Sequence, residues 1–227
     1  MTIAAVDKAM KHVNFLPWVG KNYQNGFQGL RTLILGESQY TSSCDNPFNF
    51  TIERVKEQIN GACSGQFWTN IAKALIGSDP VLEDKKQFWN SVSFYNYVQE
   101  FVGDGPRIRP TEKHWKSSET PFVEVLEELK PEFILALGYQ MWESLPFLNS
   151  YEGPKIEGAS TPATWIYPHL AGSALAYCVK HPSSGFSALT EHPYILIAMN
   201  KAKELKQSRR ESIQNSQMTD REIRCEI

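Results

Sequence analysis

The chain has 227 residues, 41% of them hydrophobic and 12% aromatic, which is enough for one well-packed core and short for two. A formal net charge of -2 excludes a global basic footprint, so any nucleic-acid contact must come from a local patch. No apolar stretch is long enough to cross a bilayer, and the first residues lack the apolar core of a signal peptide, so a soluble, cytoplasmic protein is predicted, and a monomer is expected.

In chain order, the apolar run LIL at 33–35, stopped by Gly36, has the form of a buried parallel strand, taken as 31–36. Residues 51–76 carry apolar side chains at helical spacing, interrupted at 61–65, and predict two helices with a break. The aromatic and β-branched run SVSFYNYVQ at 91–99 predicts a second strand with Asn96 near its end. A glycine- and proline-rich loop at 103–111 carries Arg107 and Arg109, the best local basic patch. A helix is predicted next, at about 120–130, opened by Pro121 and ended by Pro131. The run FILALG at 133–138 repeats the strand-plus-glycine form, with a short helix at 139–145, an edge strand at 165–167 and a fourth main strand at 173–180. A last helix spans about 193–206. The rhythm is α/β. A single domain is expected over 1–206, and 207–227 read as a polar, frayed or partner-dependent tail. Cys44, Cys63, Cys178 and Cys225 are scattered without a C-x-x-C pair, which predicts reduced structural thiols rather than a zinc site or disulfide framework.

Two short segments, GESQY at 36–40 and HPSSG at 181–185, each come directly after a buried-strand run. If both strands belong to one parallel sheet, the segments meet at its carboxyl edge, where open α/β proteins build their sites.

Four segments in order, LILGES (33–38), FYNY (94–97), PEFILALG (131–138) and HPSS (181–184), resemble the uracil-DNA glycosylase superfamily. The likeness is greatest to a bacterial branch whose first motif often reads G-E-S-H-Y, with Gln39 here in place of the histidine. The resemblance implies a three-layer α/β/α fold around a four-stranded parallel sheet of order 2-1-3-4. It implies a monofunctional enzyme that hydrolyses the N-glycosidic bond of a base flipped out of DNA, with no metal or cofactor. His181 would donate a hydrogen bond to the leaving base, while Glu37 or Ser38 would position the attacking water. Gly36, Gln39, Tyr40 and Asn96 would line the base pocket, and Phe48 or Phe50 would stack on the base. Arg107, Arg109, Lys180, Ser183 and Ser184 would meet the DNA backbone. One related branch holds an iron-sulfur cluster through four cysteines; Gln99 stands near one of those positions, and no cluster is expected. Uracil is the default base, and a modified cytosine of phage DNA is the other, which would make the protein a defence rather than a repair enzyme.

Two other readings of the same residues stay open. The Gly36-Glu37-Ser38 turn resembles the G-D-S block of SGNH-type esterases, with His192-Pro193 resembling their D-x-x-H-P block, although Leu189 stands where the aspartate belongs. Alternatively, the chain is a DNA-binding module that keeps the base pocket without turnover.

Overall fold

Three apolar runs of the sequence, Leu33 to Leu35, Phe94 to Tyr95 and Phe133 to Leu137, lie side by side at the centre of one sheet, each buried on both faces. The computed structural model describes residues 10–41, 47–62, 65–105 and 108–225. In chain order the elements are β1 (Trp18–Val19), β2 (Thr32–Gly36), α1 (Phe50–Ile59), α2 (Gln66–Ile76), α3 (Leu82–Ser91), β3 (Val92–Asn96), α4 (Glu112–Ser117), α5 (Glu119–Leu129), β4 (Phe133–Leu137), α6 (Tyr139–Ser144), β5 (Tyr151–Glu152), β6 (Thr164–His169), β7 (Gly172–Val179) and α7 (Ala188–Cys225).

The expected four-stranded parallel sheet of order 2-1-3-4 is corrected: the described residues form a seven-stranded mixed sheet, β1-β3-β2-β4-β7-β6-β5. Its central neighbours β3, β2, β4 and β7 run parallel, and β1, β6 and β5 add antiparallel pairings at the two sides. The edge strand expected at 165–167 is the longer β6, paired with β7 through a tight turn and covered in turn by the two-residue β5. The outermost strand on each side is only two residues long, and very short edge strands offer little template for pairing with another chain.

Alternation along each strand divides the core in two. Ile34, Phe94, Leu135, Tyr177 and Val179 face one side and pack against α1, α2, α3 and α7. Leu33, Leu35, Tyr95, Ile134 and Ala136 face the other and pack against α4, α5, α6 and residues 10–16. A helical layer therefore covers each face of the sheet. Each fully buried aliphatic or phenyl side chain in these layers contributes roughly 1.5–3 kcal/mol.

The second strand stops at Asn96, short of its expected end at 99. Beyond it the Tyr97 and Val98 N–H groups donate to the carbonyls of Gly36 and Glu37 (both 2.9 Å), so the chain is held to the loop after β2. Gln99 closes this corner: its amide donates to the Asn96 carbonyl at 2.6 Å and accepts the Phe15 N–H at 2.9 Å. The stretch after Arg209 continues α7 as helix to Cys225. No helix among the described residues is long and apolar enough to cross a membrane.

Candidate functional site

Parallel register brings the strand ends level, with Gly36 opposite Asn96, Leu35 opposite Ala136, and Leu137 opposite Val179. The loops after these strands therefore open on the same side of the sheet. Between them and the helices α1 and α2 lies a cleft of about 510 Å³.

GESQY is fixed through its backbone before any side chain acts. Beyond the bonds at Gly36 and Glu37, the Val102 N–H donates to the Gln39 carbonyl (3.1 Å) and the Thr41 N–H to the Gly103 carbonyl (3.1 Å). This ladder aims Glu37, Ser38, Gln39 and Tyr40 at the cleft, which all four line. Gly36 is there because Asn96 lies over it: a Cβ on residue 36 would sit 2.3 Å from Asn96 Oδ1. Gly36→Ala is thus expected to drive the amide out of place and to cost about 1–3 kcal/mol of stability. Thermal unfolding reads that cost, and an unchanged Tm would show that the amide moves aside freely.

Glu37 is buried, and its carboxylate accepts a hydrogen bond from Arg109 Nη2 at 2.8 Å. Burial pushes its carboxyl above the usual range, and the adjacent guanidinium opposes that rise. His181 follows Lys180, just past the end of β7, and α2 holds both its ring and the residue after it. Its ring stacks on Phe67 of α2, with centroids 5.3 Å apart and planes 30° apart. One helical turn along, Asn70 Nδ2 donates to the Pro182 carbonyl at 3.0 Å. Phe67 and Asn70 share a face of α2, so one helix face clamps the HPSS loop.

The imidazole has a defined tautomer. The Ser183 N–H donates to Nδ1 at 3.3 Å, so Nδ1 carries no proton and Nε2–H is the donor. Burial, and then the positive charge of Arg109, push His181 below the ordinary histidine range. One guanidinium thus favours an ionised Glu37 and a neutral His181 together. Between the two groups lies Gly138, whose φ of 122° suits glycine and whose missing Cβ would lie 3.7 Å from His181 Cβ and 3.8 Å from Glu37 Oε2.

Several residues singled out in the sequence sit differently. Arg109, expected at a DNA backbone, is brought to Glu37 and to Gln140 at the start of α6. Gln39 lines the cleft, yet its amide donates to Thr51 Oγ1 of α1 at 2.9 Å and so serves to brace the wall. Phe50 lines the cleft, with the Arg54 guanidinium 5.1 Å above its ring. Phe48 does not line it and packs into the layer on the opposite sheet face, its carbonyl accepting the Leu16 N–H at 2.9 Å. Ser183 reaches the cleft, while Lys180 and Ser184 are exposed beside it, the Ser184 N–H donating to the His181 carbonyl. Arg107, Cys44 and Cys63 fall outside the described residues, and Cys178 is a buried free thiol.

His192 has no part in the cleft: its Nδ1–H donates to the Ala74 carbonyl near the end of α2, at 2.7 Å. The pairing of Ser38 with His192 that the esterase reading needs is therefore not assembled. The cleft also takes Phe94, the first residue of FYNY, together with Phe67, Trp68, Arg54 and Asp104, which lie outside the four motifs. Among the described residues no three His, Cys, Asp or Glu side chains cluster as metal ligands. No protein-family model matches the chain, and no curated protein matches it.

Proposed function

We propose that the protein hydrolyses the N-glycosidic bond of a base flipped out of DNA, with uracil the first base to test and a modified cytosine the second. What most supports this reading is the meeting of His181 and Glu37 in one aromatic-lined cleft, on either side of Gly138 and in the field of one guanidinium.

The bond between the base nitrogen and C1′ breaks heterolytically, and its electron pair leaves with the base. Negative charge then gathers on a pyrimidine carbonyl oxygen, where the Nε2–H of a neutral His181 donates a hydrogen bond without giving up its proton. Positive charge gathers on the sugar. The Glu37 carboxylate stabilises it and directs a water whose oxygen bonds to C1′, with Ser38 as the alternative positioning group. The water's proton ends on the departing base or in solvent, leaving a free base and an intact strand with an abasic site.

Asn96, able to donate and accept at once, reads the base edge, and Tyr40, Phe50 and Phe67 offer flat faces for stacking. Lys180, Ser183, Ser184 and Arg54 meet backbone phosphates. No metal or cofactor enters these steps, and a monomer suffices because one chain supplies every group.

The test uses duplexes carrying a single uracil, hypoxanthine, hydroxymethylcytosine or glucosylated cytosine, incubated with purified protein and then treated with alkali. The expected result is scission at one of these bases, absent when alkali is omitted. Retention of DNA without alkali-labile sites would replace the enzyme by a binding module with the same pocket. Hydrolysis of an activated acyl ester, lost in Ser38→Ala, would replace it by an esterase.

A further inference from the structure

The segment PEFILALG delivers the end of β4 into the site, where Gly138 separates His181 from Glu37. Two residues beyond that glycine, in the first turn of α6, Gln140 turns its amide oxygen to Arg109. That oxygen accepts from both Arg109 Nε (3.0 Å) and Arg109 Nη2, and the same Nη2 donates to Glu37 Oε2 at 2.8 Å. Arg109 is half exposed and comes from a loop, so its long side chain has many rotamers open to it. A single acceptor that takes two N–H groups of one guanidinium fixes both its position and its plane.

We infer that Gln140 is a positioning residue of the cleft: it holds the Arg109 guanidinium in the one place where it pairs with the Glu37 carboxylate. Gln140 is exposed and is not among the residues that line the cleft; it acts through Arg109. The ionisable groups around Glu37 are Arg109 from the loop after β3 and His181 from the loop after β7, while Tyr40, Arg54 and Asp104 line the same cleft. Among the described residues, Arg109 alone forms an ion pair with Glu37. Loss of Gln140 weakens that pair and leaves burial to act on Glu37 with less opposition, so Glu37 takes up its proton at a higher pH. The consequence for turnover rests on the glycosylase reading; the effect on Glu37 does not.

The experiment follows the Glu37 side-chain carboxyl by carbon NMR through a pH titration of the full chain, as wild type, Gln140→Ala, Gln140→Met, Arg109→Ala and Arg109→Ala/Gln140→Ala. Glu37 is expected to titrate at a higher pH in both Gln140 variants than in wild type, and higher again in Arg109→Ala. The double variant is expected to match Arg109→Ala, because a residue that works through Arg109 has nothing left to position. A wild-type titration in the Gln140 variants overturns the inference, and so does a further shift in the double variant equal to that of Gln140→Ala alone. Base release measured on the same proteins is expected to fall about fivefold in Gln140→Ala on the acid side of the profile and to recover at high pH. If Glu37 shifts and base release does not change with it, the assigned role of Glu37 fails while the positioning by Gln140 stands.

Discussion

Replacing His181 by alanine is expected to slow base release by about 10³-fold while leaving DNA retention within a few-fold of wild type. The size of the effect comes from how the ring is placed. A donor pre-aligned in a mostly buried site acts only as charge develops on the leaving oxygen, and it costs no reorganisation at that moment. His181 meets those terms: Nδ1 is occupied by the Ser183 N–H, the ring is stacked on Phe67, and burial together with Arg109 keeps the imidazole neutral. His181→Asn keeps a donor without the stack and is expected to fall between the two. Single-turnover rates on duplex DNA measure the effect, and an alanine variant as fast as wild type would remove His181 from the chemistry.

Glu37→Gln is expected to slow the reaction by about 10²-fold or more, since it keeps the shape of the side chain and removes the charge facing the sugar cation. It also leaves Arg109 without its ion-pair partner beside that developing positive charge. Ser38→Ala removes only a neutral hydroxyl, so its loss is expected to stay under about tenfold. The reverse order would move the water-positioning role to Ser38. The pH dependence separates the groups further. The working state has Glu37 ionised and His181 neutral, and acidification protonates both. Activity should therefore fall on the acid side alone, with no alkaline limb from either group. Burial raises Glu37 and lowers His181, so the two titrations move toward each other and both groups shape that limb in the wild type. In Glu37→Gln the remaining acid limb should belong to His181 alone.

The sequence carried the centre of the sheet plainly, because a buried parallel strand must be apolar on both faces and Leu33 to Leu35 and Phe133 to Leu137 are. It did not carry the two-residue strands β1 and β5, whose pairing comes from neighbours rather than from any local pattern. Helix α3 was hidden for a different reason: LEDKKQFWNS buries only Phe88 and Trp89, too few apolar positions to mark a period. In the site, the residues at strand ends were legible because the strands that aim them were. Phe67 and Trp68 were not, since an aromatic on the apolar side of a helix looks the same whether it meets the core or a cleft. Arg109 stands in a glycine- and proline-rich loop, where a charge suits either a phosphate contact or open solvent; its partners lie 72 and 31 residues away in the chain. No spacing rule links such positions.

Mass spectrometry of the products formed in ¹⁸O-labelled water tests the central claim most directly. A duplex carrying the released base should yield that free base unlabelled and an unbroken strand lighter by the base, with one ¹⁸O bound at C1′ of the abasic sugar. Recovery of intact DNA from every base tested, or a strand cut before any alkali is added, would contradict hydrolysis of the N-glycosidic bond in this cleft.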